Sequence, residues 1–209
     1  MNWKDVTVWQ WQQIQNVSLK QEKGDTELDI AVKTLAILKN QTEAQIDSLS
    51  ISELKKELEK IQFITTTIPE PKPKDFIKIK GKMYRCIYDI KNLPYARYLE
   101  TKHFGVDISN NLHKIAASMV VPMKLTWRGW KVAKYDASKH EEYANDLLEA
   151  PFQSVYGSIV FFCQIFANSI TSYRDYLKNK LIEEGLSMEE AEITMTTLCK
   201  HMDGFTKLP

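Results

Sequence analysis

From Pro69 to Lys74 every second residue is proline, in the run Pro69-Glu70-Pro71-Lys72-Pro73-Lys74. Each proline ring locks φ, removes an amide donor and biases the residue before it away from helix. No helix can run through such a segment, so an extended polyproline II spacer or edge is expected there. The chain is thereby divided into a unit at 1–68, a Pro/Lys-rich spacer at 69–75 and a longer unit at 76–209.

Before the spacer the apolar residues recur at helical steps. Thr7 followed by Gln10 has the spacing of a capping box, opening a helix to about Val17 with Val8, Trp11 and Ile14 on one side. Trp3 and Trp9 beside it are either a staple on that helix or part of an interface. Asp25 is expected to cap a second helix carrying Leu28, Ala31, Val32, Leu35 and Leu38. Ser50 with Glu53 marks a third, with Leu54, Leu58 and Ile61 on one face. The first unit is therefore small and helical.

After the spacer the period changes to two. Phe76-Ile77-Lys78-Ile79-Lys80 alternates, Gly81-Lys82 turns, and Met83 to Tyr88 returns, which describes a β-hairpin with Gly81 supplying φ > 0. Helical spacing then resumes, with expected starts at Asn92, Asn110, and Ser138 with Glu141, and stops at Pro122 and Pro151. The stretch from Phe152 to about Glu183 is the longest expected helix, with Val155, Ile159, Phe162, Phe166, Ile170, Tyr173, Leu177 and Leu181 at three- and four-residue steps. Ser187 with Glu190 opens a last helix through Met195 and Leu198. The expected fold is mainly α with one small β-hairpin (α+β): a helical N-terminal unit, a Pro-rich spacer, then a hairpin followed by a helical domain.

Composition narrows the function. With 44% hydrophobic and 26% charged residues the chain is ordinary globular material, not a disordered or fibrous one. The most apolar stretch, Val155 to Ile170, is interrupted by Gly157, Ser158, Gln164, Asn168 and Ser169 and is too polar to span a bilayer. The first residues lack a basic n-region and an apolar h-region, so a soluble intracellular product is expected. Cys86, Cys163 and Cys199 are far apart and read as free thiols, and His103, His113, His140 and His201 show no metal-ligand spacing. No phosphate-cradling loop, dinucleotide fingerprint or nucleophile elbow occurs. The expectation is a non-enzymatic protein with no cofactor, no metal and no catalytic residues.

Charge is segregated along the chain. Residues 1–68 carry 8 basic and 10 acidic side chains, residues 69–135 carry 14 and 5, and residues 136–209 carry 6 and 12, so that net charges of −2, +9 and −6 follow one another. Such opposite blocks neutralise each other inside one molecule, attract a neighbouring copy or serve different partners.

Two features are candidates for binding. Lys78, Lys80 and Lys82 fall on one strand face by period two and would form a basic stripe for phosphates or an acidic protein surface. Edge-strand lysines also serve simply to block unwanted sheet pairing. Trp127-Arg128-Gly129-Trp130-Lys131 interleaves aromatics with cations, a pattern that stacks on bases or anchors protein interfaces. With no nucleic-acid-binding fold in view, the interface reading is preferred. If copies associate, Lys78, Lys80 and Lys82 on one would meet Glu183, Glu184, Glu189 and Glu190 on the next, with Trp127 and Trp130 as apolar anchors.

Several of these residues together resemble small proteins from the morphogenesis modules of tailed bacteriophages of gut bacteria. The resemblance rests on Trp3-Lys4-Asp5-Val6-Thr7-Val8 leading into an aromatic-Gln helix, on Ser52-Glu53-Leu54-Lys55, on the Pro/Lys spacer, and on the hairpin with Gly81 and Tyr84. Leu93-Pro94-Tyr95-Ala96-Arg97-Tyr98 and Phe161-Phe162 fit the same layout. It implies a structural protein of the virion in the portal and tail region, or a head–tail connection component. Its partners would be other phage structural proteins and copies of itself, with no membrane. The alternatives are a cytoplasmic tail-assembly chaperone and an accessory protein that binds nucleic acid through the basic middle segment.

Overall fold

Capping boxes open the first four helices. The computed structural model describes residues 1–21, 24–69, 72–89 and 94–199. Within it Thr7 with Gln10 starts α1 (Val8–Leu19), Thr26 with Asp29 starts α2 (Glu27–Lys39), Thr42 with Gln45 starts α3 (Glu43–Asp47), and Ser50 with Glu53 starts α4 (Ile51–Ile61). In each box two amides that the helix leaves without partners are satisfied by the two side chains. Thr26 rather than Asp25 caps α2, and Asp25 instead pairs with Lys33 at 2.9 Å.

The expected hairpin is β1 (Phe76–Ile79) and β2 (Lys82–Cys86), joined by a two-residue turn in which Lys80 has φ 45° and Gly81 φ 84°. Two positive φ values in succession give the turn whose twist matches that of paired strands. Two helices follow, α5 (Tyr95–Phe104) and α6 (Ile108–Met119), the second capped by Asp107 rather than Asn110. The chain then passes straight into β3 (Val120–Thr126) and turns back as β4 (Gly129–Val132). This second hairpin departs from the expectation of a helix that starts near Asn110 and runs to Pro122, since α6 ends at Met119 and Val120 already belongs to a strand. The sheet is antiparallel in the order β1-β2-β3-β4, with Met83 opposite Met123 and Leu125 opposite Trp130. The fold is mainly helical with one small sheet.

A short 3₁₀ turn at Ala137–Lys139, held by Asp136, leads into α7 (His140–Leu148), so the expected Ser138–Glu141 box is replaced by an aspartate cap. α8 (Phe152–Glu183) has the expected limits, and Ser187 with Glu190 opens α9 (Met188–Cys199). The expected cap at Asn92, along with Leu93, Pro71 and His201, lies outside the described residues. So do the side chains of Tyr95, Ala96, Tyr98, Phe166, Ile170, Tyr173, Leu198 and Cys199.

One hydrophobic core joins the parts on either side of the spacer. It holds Val8, Ile14, Leu35 and Ile46 from the first helices together with Ile77, Leu112, Leu147, Phe152 and Phe162. Backbone bonds from Val8 N–H to Ala150 (3.0 Å) and from Phe152 N–H to Val6 (2.8 Å) tie α1 to the start of α8. The described part of the spacer lies on α8 as well: the Lys74 amide donates to Ser158 Oγ at 3.2 Å, and Tyr88 Oη donates to the Lys74 carbonyl at 2.7 Å. Extended backbone cannot bond to itself, so it is satisfied by its neighbours. Among the described residues no helix is long and apolar enough to cross a membrane.

Candidate interaction surface

Side chains alternate across a strand, so the register assigns each sheet residue to a face. Ile77, Ile79, Tyr84, Cys86 and Val120 point to the helices and are buried. The opposite face carries Phe76, Lys78, Met83, Arg85, Val121, Met123, Leu125, Trp130 and Val132, of which Val121 is buried and Met83 and Met123 half-buried. A solvent face of an antiparallel sheet is ordinarily polar. Here Phe76 is 49% exposed, Leu125 70%, Trp130 38% and Val132 43%, and Trp127 at the tip of the second hairpin is 86% exposed. The Arg128 guanidinium lies 4.3 Å from the centre of the Trp127 ring, a cation–π contact at the tip. The β3–β4 hairpin is thus apolar on its outer side and basic on the other, where Lys124 and Lys131 stand directly opposite each other.

The lysine stripe of the sequence does not form. Lys80 sits in the turn, so Lys78 and Lys82 lie on different strands and different faces. Lys80 pairs with Glu149 at 3.1 Å, and Lys82 with Asp146 at 2.6 Å and Glu142 at 3.7 Å. The hairpin is clamped to α7 by these contacts, and Tyr84 Oη donates to the same Asp146 carboxylate. Part of the positive middle segment is therefore neutralised inside the molecule. The hydrogen bond to Asp146 raises the Lys82 pKa above its usual value, and burial raises that of Tyr84.

Trp3 is also placed otherwise than an interface residue would be. It is 7% exposed, set edge-on against Phe63 at 5.4 Å, because the turn before α1 folds it under the helices. Trp9 stays at the surface, 41% exposed. Glu183 and Glu184 end α8, and Glu189 and Glu190 stand in the first turn of α9, all exposed, with Glu190 engaged by Ser187. Among the described residues no ion pair joins these glutamates to the sheet.

A polar cluster missed by sequence reasoning brings a hydroxyl, an imidazole and a carboxylate together. Ser118 Oγ lies 3.1 Å from His140 Nε2 and 3.3 Å from Glu100 Oε2, and Glu100 also accepts from Tyr135 Oη at 3.1 Å. Its geometry is not that of a nucleophile and base. The Lys114 carbonyl lies at the same 3.1 Å from Nε2 and can only accept, so it competes with Ser118 for that nitrogen. Glu100 stands 4.0 Å from that same nitrogen, and not at the far side of the ring where an orienting acid belongs. Ser118 is wholly buried. Arg97 completes the cluster by donating to the carbonyls of Ser118 (2.6 Å) and Val120 (2.9 Å), under the Tyr135 ring at 4.2 Å. The cluster binds α5, α6 and the start of α7 to one another. Its members are spread over 97–140, and no local spacing announces them.

The described residues bring no three His, Cys, Asp or Glu side chains together as a metal site, and Cys86 and Cys163 are buried free thiols. The chain matches no protein-family model, no curated protein and no solved structure.

Proposed function

We propose that the chain is a non-enzymatic assembly protein that works by packing the outer face of its sheet against a protein partner. The observation that carries this reading is the one-sided apolar face formed by Phe76, Leu125, Trp130 and Val132. The β1–β2 part of that face is backed by the buried Ile77, Ile79 and Tyr84, and the β3–β4 part extends from it with the exposed Lys124 and Lys131 behind. Exposed aromatics with an arginine at the tip are the residue types that anchor interfaces. The resemblance to tailed-phage morphogenesis proteins supplies the setting: a component of the virion near the portal and tail.

Mass spectrometry of purified particles tests the setting, with a photo-crosslinking residue at Leu125 to test the surface. The expected result is the chain in the particles, crosslinked to a structural protein. Absence from particles combined with a crosslink to a tail protein in infected cells would replace the virion role by that of an assembly chaperone. Binding to an oligonucleotide that collapses between low and moderate salt, with no protein crosslink, would favour the nucleic-acid reading instead.

A further inference from the structure

The two hairpins, 76–86 and 120–132, carry seven basic side chains and no acidic one. Lys80 and Lys82 are neutralised by α7. Lys78, Arg85, Lys124, Arg128 and Lys131 are not joined to any carboxylate by an ion pair among the described residues. Of these, Lys78 and Arg85 stand on the outer face itself and Arg128 at the tip of the second hairpin, whereas Lys124 and Lys131 lie on the reverse side of that hairpin. The outer face is therefore apolar, with Lys78, Arg85 and Arg128 as its only charges.

The other end of the chain has the complementary character. Among the described residues, the shared hydrophobic core is followed along α8 as far as Cys163. The remaining twenty residues of α8, about 30 Å of helix at 1.5 Å per residue, run on to pair with α9 around Ala191 and Met195, both buried. The facing ends of these helices carry Glu183, Glu184 and Glu189 against one exposed lysine, Lys180, with Met188 66% exposed and Tyr176, two turns earlier on α8, 61% exposed. Glu192 is already held by Arg174 and Lys178, and Glu190 by Ser187, so it is the first three carboxylates that remain for a partner.

We infer that the outer sheet face of one molecule receives the α8–α9 tip of a second copy. The inference rests on the assembly reading above and names its partner. Charge decides the mode. Two sheets meeting face to face, or edge to edge through β4, would bring uniformly positive surfaces together. A head-to-tail contact brings the positive apolar face to the negative apolar tip. Such a contact is heterologous, and it closes into a ring or continues into a filament according to its rotation. The aromatic anchors supply the affinity and the charges the orientation.

Sedimentation of three purified proteins tests this: wild type, a face variant (Leu125→Ser, Trp127→Ser, Trp130→Ser) and a tip variant (Glu183→Lys, Glu184→Lys, Glu189→Lys). Each variant is first shown to be folded by circular dichroism. The wild-type mass should rise with concentration and fall with added salt, and each variant should associate about tenfold or more weakly. An equimolar mixture of the variants should form a one-to-one complex and nothing larger, because each retains only one half of the contact. Wild type that stays monomeric at every concentration overturns the inference, as does a tip variant that assembles like wild type. A monomeric wild type still found in particles would leave the assembly role standing. Self-association without particle incorporation would do the reverse.

Discussion

The backbone of Lys72 crosses α8 so closely that a β-carbon built on Gly157 would stand 2.6 Å from the Lys72 carbonyl oxygen. The obstacle is main chain rather than the end of a flexible side chain, so nothing nearby can rotate away. Gly157→Ala should push the spacer off the helix and cost about 1–3 kcal/mol, the usual range for overpacking. A thermal melt checks it. An unchanged midpoint would mean that the spacer does not rest on α8.

Phe162 lies on the buried side of α8 at 1% exposure, in the same cluster as Ile159 and Phe152. Phe162→Ala should cost about 3–5 kcal/mol. Denaturant unfolding with an unchanged slope would attribute the loss to the native core.

Arg97 is buried and satisfies two carbonyls at the point where α6 becomes β3. Arg97→Ala leaves both carbonyls without a donor in a dry site and should cost about 3 kcal/mol. Arg97→Lys should recover only part of this, since an ammonium cannot reproduce the forked geometry. Comparing the two melts separates the loss of charge from the loss of shape.

Alkaline pH should weaken the fold through one set of groups. Burial raises the pKa of Tyr84, and to a lesser degree those of Tyr88 and Tyr135, while the hydrogen bond to Asp146 raises that of Lys82. The unfolded chain releases these protons near the ordinary values, about 10 for tyrosine and lysine. Above that pH the folded state binds more protons than the unfolded state, so stability falls as pH rises. The contribution is fully present below pH 10. The melting temperature should stay level from neutral pH to about 9 and drop beyond 10, and Tyr84→Phe should make the drop shallower.

By itself the sequence determined what depends on neighbours a few residues away. The boxes at Thr7–Gln10, Ser50–Glu53 and Ser187–Glu190 are local bonds, so the starts of α1, α4 and α9 were legible. The apolar stripe of α8 and the turn at Gly81 were legible for the same reason. The rest depended on contacts between distant parts of the chain. Val120–Thr126 continues the apolar run of α6 without a break, and it becomes a strand because β2 offers it a partner across some forty residues of chain. Pro122 stands just past the last β3–β4 pair, Met123 opposite Val132, with its carbonyl accepting from Ala133 N–H at 2.9 Å. That pairing in turn set which side of Leu125 and Trp130 faces water, and so created the candidate surface. Whether Lys80 and Lys82 meet a neighbour's acids or those of α7, and whether Trp3 lies inside or outside, were settled likewise by contacts that only the folded chain brings within reach.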